Sequence, residues 1–302
     1  MVQELLGPTM EDLFNFCDRK FSVKTSVMIF KQMIERLEHV HGLGVINRDV
    51  KPENMMMGLR ERSSVVHMID FGIARSFIDK KTKKHIEFQT GKNLVGTARY
   101  VSVNAHLGYT LSRRDDLLTL GYVMVYFSAG ELPWQFENTR RKSARFTDIG
   151  RIKKSYSPAQ LCRQLPIQFR KYFEYCNKLE FEETPDYKYL IGLMNEAADY
   201  HGFNIDDGQF DWCLKLKLAP SFSSGTNPAR MNKRLDMNRP LQFHSKHHDS
   251  LQHDASLKVA QQESFEFKSY AVVRALVYQA HAVKNQYLIQ HLVRMKEKEA
   301  EQ

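Results

Sequence analysis

Asn47-Arg48-Asp49-Val50-Lys51-Pro52-Glu53-Asn54-Met55 and, sixteen residues past Asn54, Asp70-Phe71-Gly72 decide how this chain is read. R-D-x-K-x-x-N followed by D-F-G at that distance combines the separate duties of phosphoryl transfer. An acidic residue, Asp49, suits a group that orients an attacking hydroxyl and accepts its proton. Lys51 can neutralise charge on a travelling phosphoryl group. Asn54 and Asp70 offer hard oxygen ligands, the kind magnesium prefers.

Around this pattern the chain has ordinary soluble character. Its 302 residues are 42% hydrophobic and 26% charged, enough to bury one large core or two lobes. No apolar run reaches the roughly 18–20 residues that span a bilayer. The start, Met1-Val2-Gln3-Glu4, lacks the basic and apolar regions of a secretory signal. Cys17, Cys162, Cys176 and Cys213 are scattered without a C-x-x-C pair, so buried free thiols in a reducing, intracellular setting (cytoplasm, nucleus or both) are expected. The net charge of +9 favours anionic partners without choosing among acidic protein, nucleic acid and membrane surface.

Periodicity predicts a mainly α fold. A short extended piece ends at Gly7-Pro8, and Glu11 to Phe16 carries a helical pattern. Ser22 caps a long helix with Val27, Phe30, Met33, Ile34, Leu37 and Val40 on one face, stopped by Gly42 and Gly44. Val65 to Ile69 reads as a strand entering Asp70. Ser76 to Asn104 is a functional-length loop of roughly thirty residues. From Asp115 to Phe127 the chain is apolar nearly all round, as in a helix buried at a domain centre. Further helices are expected over 167–179 and 186–200. Residues 1–218 are read as one domain, 219–256 as a flexible basic linker, and 257–302 as a C-terminal helix able to dock a partner.

On these residues the chain resembles the casein kinase I family of Ser/Thr protein kinases. The resemblance covers about 1–213. It rests on Leu5-Leu6-Gly7-Pro8, Arg48-Asp49-Val50-Lys51-Pro52, Gly96-Thr97-Ala98-Arg99-Tyr100, Ser112-Arg113-Arg114-Asp115-Asp116-Leu117, Leu132-Pro133-Trp134-Gln135 and Pro185-Asp186-Tyr187. Val101-Ser102-Val103-Asn104 stands where most protein kinases carry Ala-Pro-Glu. The resemblance implies a kinase C-terminal lobe using ATP and Mg2+. Asp49, Lys51 and Thr97 would then be catalytic. Glu4 to Leu6 would be the hinge, and Met56 and Ile69 the floor of the adenine pocket. Asn54 and Asp70 would hold the metal, and Asp116 would fix the catalytic loop. Arg99, with Arg145 or the Arg140-Arg141-Lys142 cluster, would read acidic or phosphorylated residues on protein substrates.

The chain also departs from that family. It starts at the hinge, so the N-terminal lobe with its Gly-rich loop and strand lysine is expected to be missing, as in an N-terminally truncated chain. No G-x-G-x-x-G occurs in the sequence. Asn47 stands where the family has a histidine, which predicts looser packing on Phe71. His244, His247, His248 and His253 are read as a solvated tail rather than a metal site, and nothing in the basic tail specifies a nucleic-acid partner. Two functions remain open at this point: a Ser/Thr kinase of casein kinase I type, or a non-catalytic module that binds acidic or phosphorylated partners.

Overall fold

The computed structural model describes residues 4–79, 81–135 and 145–218, with side chains outside that description at 145–147 and 218. The linker expected over 219–256, the helix expected over 257–302 and the 140–142 cluster lie outside the described residues.

Nine α-helices and two small antiparallel sheets follow in the order α1 (Met10–Phe16), α2 (Val23–Gly42), β1 (Val45–Ile46), β2 (Met55–Met57), β3 (Val66–Met68), β4 (Arg75–Ser76), α3 (Val103–His106), α4 (Arg113–Ala129), α5 (Arg145–Ser155), α6 (Pro158–Leu161), α7 (Ile167–Cys176), α8 (Tyr187–His201) and α9 (Asp211–Leu218), counted among the described residues. Strand β1 pairs with β4, and β2 with β3. The β1–β4 pair encloses the quoted motif, and the β2–β3 hairpin lies within it, between Asn54 and Asp70. Between β4 and α3 the long loop carries an isolated antiparallel bridge, Ile78 to His85.

Local chemistry explains where α1, α2 and α4 begin. Thr9 caps α1 by accepting from the Asp12 amide at 3.1 Å, while Asp12 reaches back to the Thr9 hydroxyl at 2.7 Å. Ser22 accepts from the Thr25 amide to open α2. That helix buries Val27, Phe30, Met33, Ile34 and Leu37, and the same stripe continues to His41. Gly44 then turns the chain at φ +76°, a conformation that favours glycine. Helix α4 begins at Arg113, two residues ahead of the apolar run, because the Asp115 carboxylate caps it by accepting from the Ser112 amide.

Every residue of α4 from Asp115 to Ser128 is buried. Helix α2 packs on one side of it and on α8; α7 packs on α4 and α8. Each large apolar side chain so enclosed contributes about 1.5–3 kcal/mol. At the other end, Phe14 meets Phe21, Tyr126 and Phe127 at ring separations of 4.7–5.3 Å. Phe21 also contacts Trp212, which stacks on Phe210. Asp211 accepts from the Ser22 amide and hydroxyl, tying α9 to the first residues of α2.

Gly121 sits where α4 crosses α7. A Cβ there would lie 2.8 Å from Phe173 Cζ and 3.1 Å from Tyr172 Cε1. Alanine would improve helix propensity by about 1 kcal/mol, but both rings are fully enclosed and cannot swing away. Overpacking therefore wins, and Gly121→Ala should destabilise the fold by about 1–3 kcal/mol in chemical denaturation. A stabilised variant would contradict this packing.

Candidate active site

The site is built on one buried carboxylate. Asp116, in the first turn of α4, accepts from the Asn47 amide at 2.7 Å and from the Arg48 amide at 2.8 Å. A third bond of 2.9 Å joins it to Nε2 of His41, whose Nδ1 meets the Tyr187 hydroxyl at 2.7 Å. A carboxylate only accepts, so the imidazole hydrogen facing it is on Nε2. The last turn of α2, the start of α4 and the start of α8 thus converge under the loop that α2 delivers.

This clamp holds strained backbone. Arg48 has φ +68° and Asp70 φ +61°, each costing on the order of 1–2 kcal/mol for a side chain with a Cβ. Arg48 is held by Asp116 and by its own Nε bond to the Ile73 carbonyl at 2.7 Å. Burial, then the neighbouring Arg75, pushes its guanidinium below the usual range. Asn47 links the two strained residues. Its amide nitrogen donates to the Asp70 carbonyl at 3.3 Å, and its oxygen accepts from the Asp49 amide at 3.0 Å. The amide thus ties the loop to the Asp70 turn, while Phe71 remains 46% exposed.

Asp49 is presented to three donors. Thr97 Oγ1 donates to Oδ1 at 2.9 Å; Lys51 Nζ and Asn54 Nδ2 approach Oδ2 at 2.6 and 3.2 Å. An ionised carboxylate has about four acceptor positions, which leaves room for a hydroxyl. Thr97 can approach because Gly96 precedes it. At φ +93°, a Cβ on Gly96 would lie 2.4 Å from the Arg48 carbonyl oxygen. Only glycine permits that contact between the two loops.

Asn54 and Asp70 meet through backbone, since the Ile69 amide donates to the Asn54 carbonyl at 2.9 Å. Asn54 spends its Nδ2 hydrogens on the carbonyl and carboxylate of Asp49, leaving Oδ1 as its side-chain acceptor. Asp70 is exposed and accepts from the Gly72 amide through Oδ1. No cluster of three or more His, Cys, Asp or Glu suited to a metal forms among the described residues. One carboxylate and one amide are what a Mg2+ ion takes from protein when phosphate oxygens and water fill its other positions, so the pair fits a nucleotide-bound magnesium.

The remaining sequence-derived positions fall around this centre. Gly7 and Pro8 run beside β2, with Gly7 N to Met57 O at 2.8 Å and Met57 N to Pro8 O at 3.1 Å. Leu5 is exposed and Leu6 half-buried, while Glu4 spends its carboxylate on Arg62. Met56 and Ile69 are half-buried on and beside the β2–β3 hairpin. Arg99 is exposed, with its guanidinium 5.8 Å from the Tyr100 ring centre. Arg145 opens α5, but its side chain is outside the described residues. All four cysteines are free and buried; burial pushes the Cys17 and Cys162 thiols to about 12, which excludes them as nucleophiles. No helix among the described residues is long and apolar enough to cross a membrane.

The sequence reading did not single out His41 or the Tyr187 hydroxyl as supports of the loop. The available signal was His41 standing four residues past Leu37 on the buried stripe of α2, where a polar ring needs a partner.

Asp116→Ala would strand His41 and two backbone N–H groups. Removing one partner of a buried charged network costs about 3–5 kcal/mol, and the Asn47 and Arg48 amides should lose hydrogen-exchange protection. A loss below about 1 kcal/mol with both amides still protected would contradict the role assigned to Asp116.

A protein kinase domain model matches residues 1–186. The match takes in the loop at 47–55, the Asp70 turn and all of α4 through the first residues before α8. Because it covers more than half of the chain, this protein belongs to the protein kinase domain family.

Proposed function

We propose that this protein kinase is of casein kinase I type and transfers the γ-phosphate of ATP to Ser or Thr of acidic or phosphate-primed proteins. The observation that carries the reading is the Asp49 carboxylate, gripped by Lys51, Asn54 and Thr97 at 2.6–3.2 Å. Asp49 would orient the substrate hydroxyl and take its proton. Lys51 would face the moving phosphoryl group, and Thr97 would close the loop on the substrate side. Mg2+, held through Asn54 and Asp70, would supply charge neutralisation of the ATP phosphates. The backbone of Glu4 to Leu6 would receive the adenine above Met56 and Ile69.

The family type rests on Gly96-Thr97-Ala98-Arg99-Tyr100, whose glycine and threonine close on the catalytic loop. Arg99 is an exposed residue beside that closure, and its guanidinium is a planar donor suited to carboxylate or phosphate. Arg145 belongs to the same anion-reading proposal. An intracellular setting goes with it, supported by four unpaired cysteines.

A second reading is a non-catalytic module that binds acidic or phosphorylated partners through Arg99, an exposed residue beside the 96–97 closure.

The readings separate in a phosphate-incorporation assay with Mg-ATP and an acidic peptide. It should be run on this chain and on a fusion that supplies a casein kinase I N-terminal lobe ahead of residue 1. The kinase reading expects incorporation by at least the fusion, and a fall of about 10²–10⁴-fold in kcat for Asp49→Asn. Arg99→Ala should raise KM for a phosphate-primed peptide about tenfold with little change in kcat. Phosphopeptide binding without incorporation by either protein would establish the second reading instead.

A further inference from the structure

Lys153 is 3% exposed, an uncommon burial for lysine. It stands on α5, which closes on α3 because Gly150 gives way to His106; a Cβ there would lie 2.6 Å from that histidine's own Cβ. Its Nζ reaches the carbonyls of Val101 at 2.6 Å and Ala98 at 2.9 Å. The same nitrogen lies over the rings of Tyr122 at 4.9 Å and Trp134 at 5.2 Å. Among the described residues no carboxylate offsets its burial, which pushes the amine well below its usual range. Ammonium or amine, it has hydrogens enough for both carbonyls.

A side chain serving packing alone would be better apolar here, since an enclosed cation without an anion costs several kcal/mol. Both of its hydrogen bonds land on one turn, the turn that carries Thr97. Within that turn the Tyr100 and Val101 amides donate to the Thr97 carbonyl at 2.8 and 3.1 Å. Trp134 Nε1 takes the Arg99 carbonyl at 2.8 Å, so three of the turn's outward carbonyls are held from the α5 side. The far face of the turn presents Thr97 Oγ1 to Asp49.

We infer that Lys153 is a positioning residue for catalysis: by holding the Ala98 and Val101 carbonyls it fixes the 97–101 turn and thereby the Thr97–Asp49 hydrogen bond. The inference deepens the kinase reading and rests on it for its effect on rate, but not for its effect on the turn. Tyr122 belongs to α4, the helix that supplies Asp116. One helix therefore braces the catalytic loop through Asp116 and, through Tyr122, the lysine that holds the opposing turn.

The test uses the full chain, fused to an N-terminal lobe where phosphate incorporation requires it. Lys153→Met keeps length and removes the donors. Amide exchange at Tyr100 and Val101 should accelerate about tenfold or more relative to amides of α7. The kcat should fall by a similar factor with KM for ATP unchanged. Adding Thr97→Val should cost little beyond Thr97→Val alone, because the two act in series. Lys153→Gln, which keeps a shorter donor, should loosen the same two amides by a smaller factor, and it decides the matter if Lys153→Met does not fold. Unchanged exchange at Tyr100 and Val101, or losses in the double variant that simply multiply, would overturn the inference. If the wild-type protein and its fusion transfer no phosphate, the kinase reading fails while the exchange result still decides what Lys153 holds.

Discussion

A carboxylate sealed between helices and bonded to two successive backbone amides is the constraint from which the site follows. Asp116 can be charged and buried only because Asn47 N, Arg48 N and His41 all donate to it. In return the loop accepts a left-handed Arg48, a conformation it would leave if the amides were free. That bend aims Asp49 outward, toward Lys51, Asn54 and Thr97. The second bend, at Asp70, is joined to the first by the side chains of Asn47 and Arg48, which donate to the Asp70 and Ile73 carbonyls.

The helices serve this geometry more than they display it. Helix α2 delivers the chain to the loop and leaves His41 beneath it; α4 carries Asp116 at its start and the Gly121 crossing with α7 one turn later. Residues past the protein kinase match also contribute: α8 supplies Tyr187 to His41, and Asp211 caps the beginning of α2. Rigidity of this kind is what phosphoryl transfer asks of a protein, since little covalent chemistry is done by the side chains themselves.

Much of this was legible in the sequence because motif and period agree there. Ser22, the stripe from Val27 to Leu37 and the unbroken apolar run after Asp115 locate α2 and α4 within two residues. The positions Asp49, Lys51, Asn54 and Asp70 come from spacing alone. What stayed hidden depends on contacts between distant segments. Helix α5 is polar along most of its length, and nothing in Ile152-Lys153-Lys154 says which lysine turns inward. That choice is made by Gly150 against His106 and by two aromatic rings on other elements. Helix α6 is four residues long and leaves no period to read. The helix expected over 257–302 lies outside the described residues.

The most direct measurement is anomalous diffraction from crystals of the protein with Mn2+ standing in for Mg2+ and a non-hydrolysable ATP analogue. A manganese peak ligated by Asn54 Oδ1 and the Asp70 carboxylate, with the terminal phosphate facing Asp49, is the predicted result. A nucleotide bound with its metal away from Asn54 and Asp70 would contradict the site, as would crystals showing the Asn47–Arg48 backbone released from Asp116.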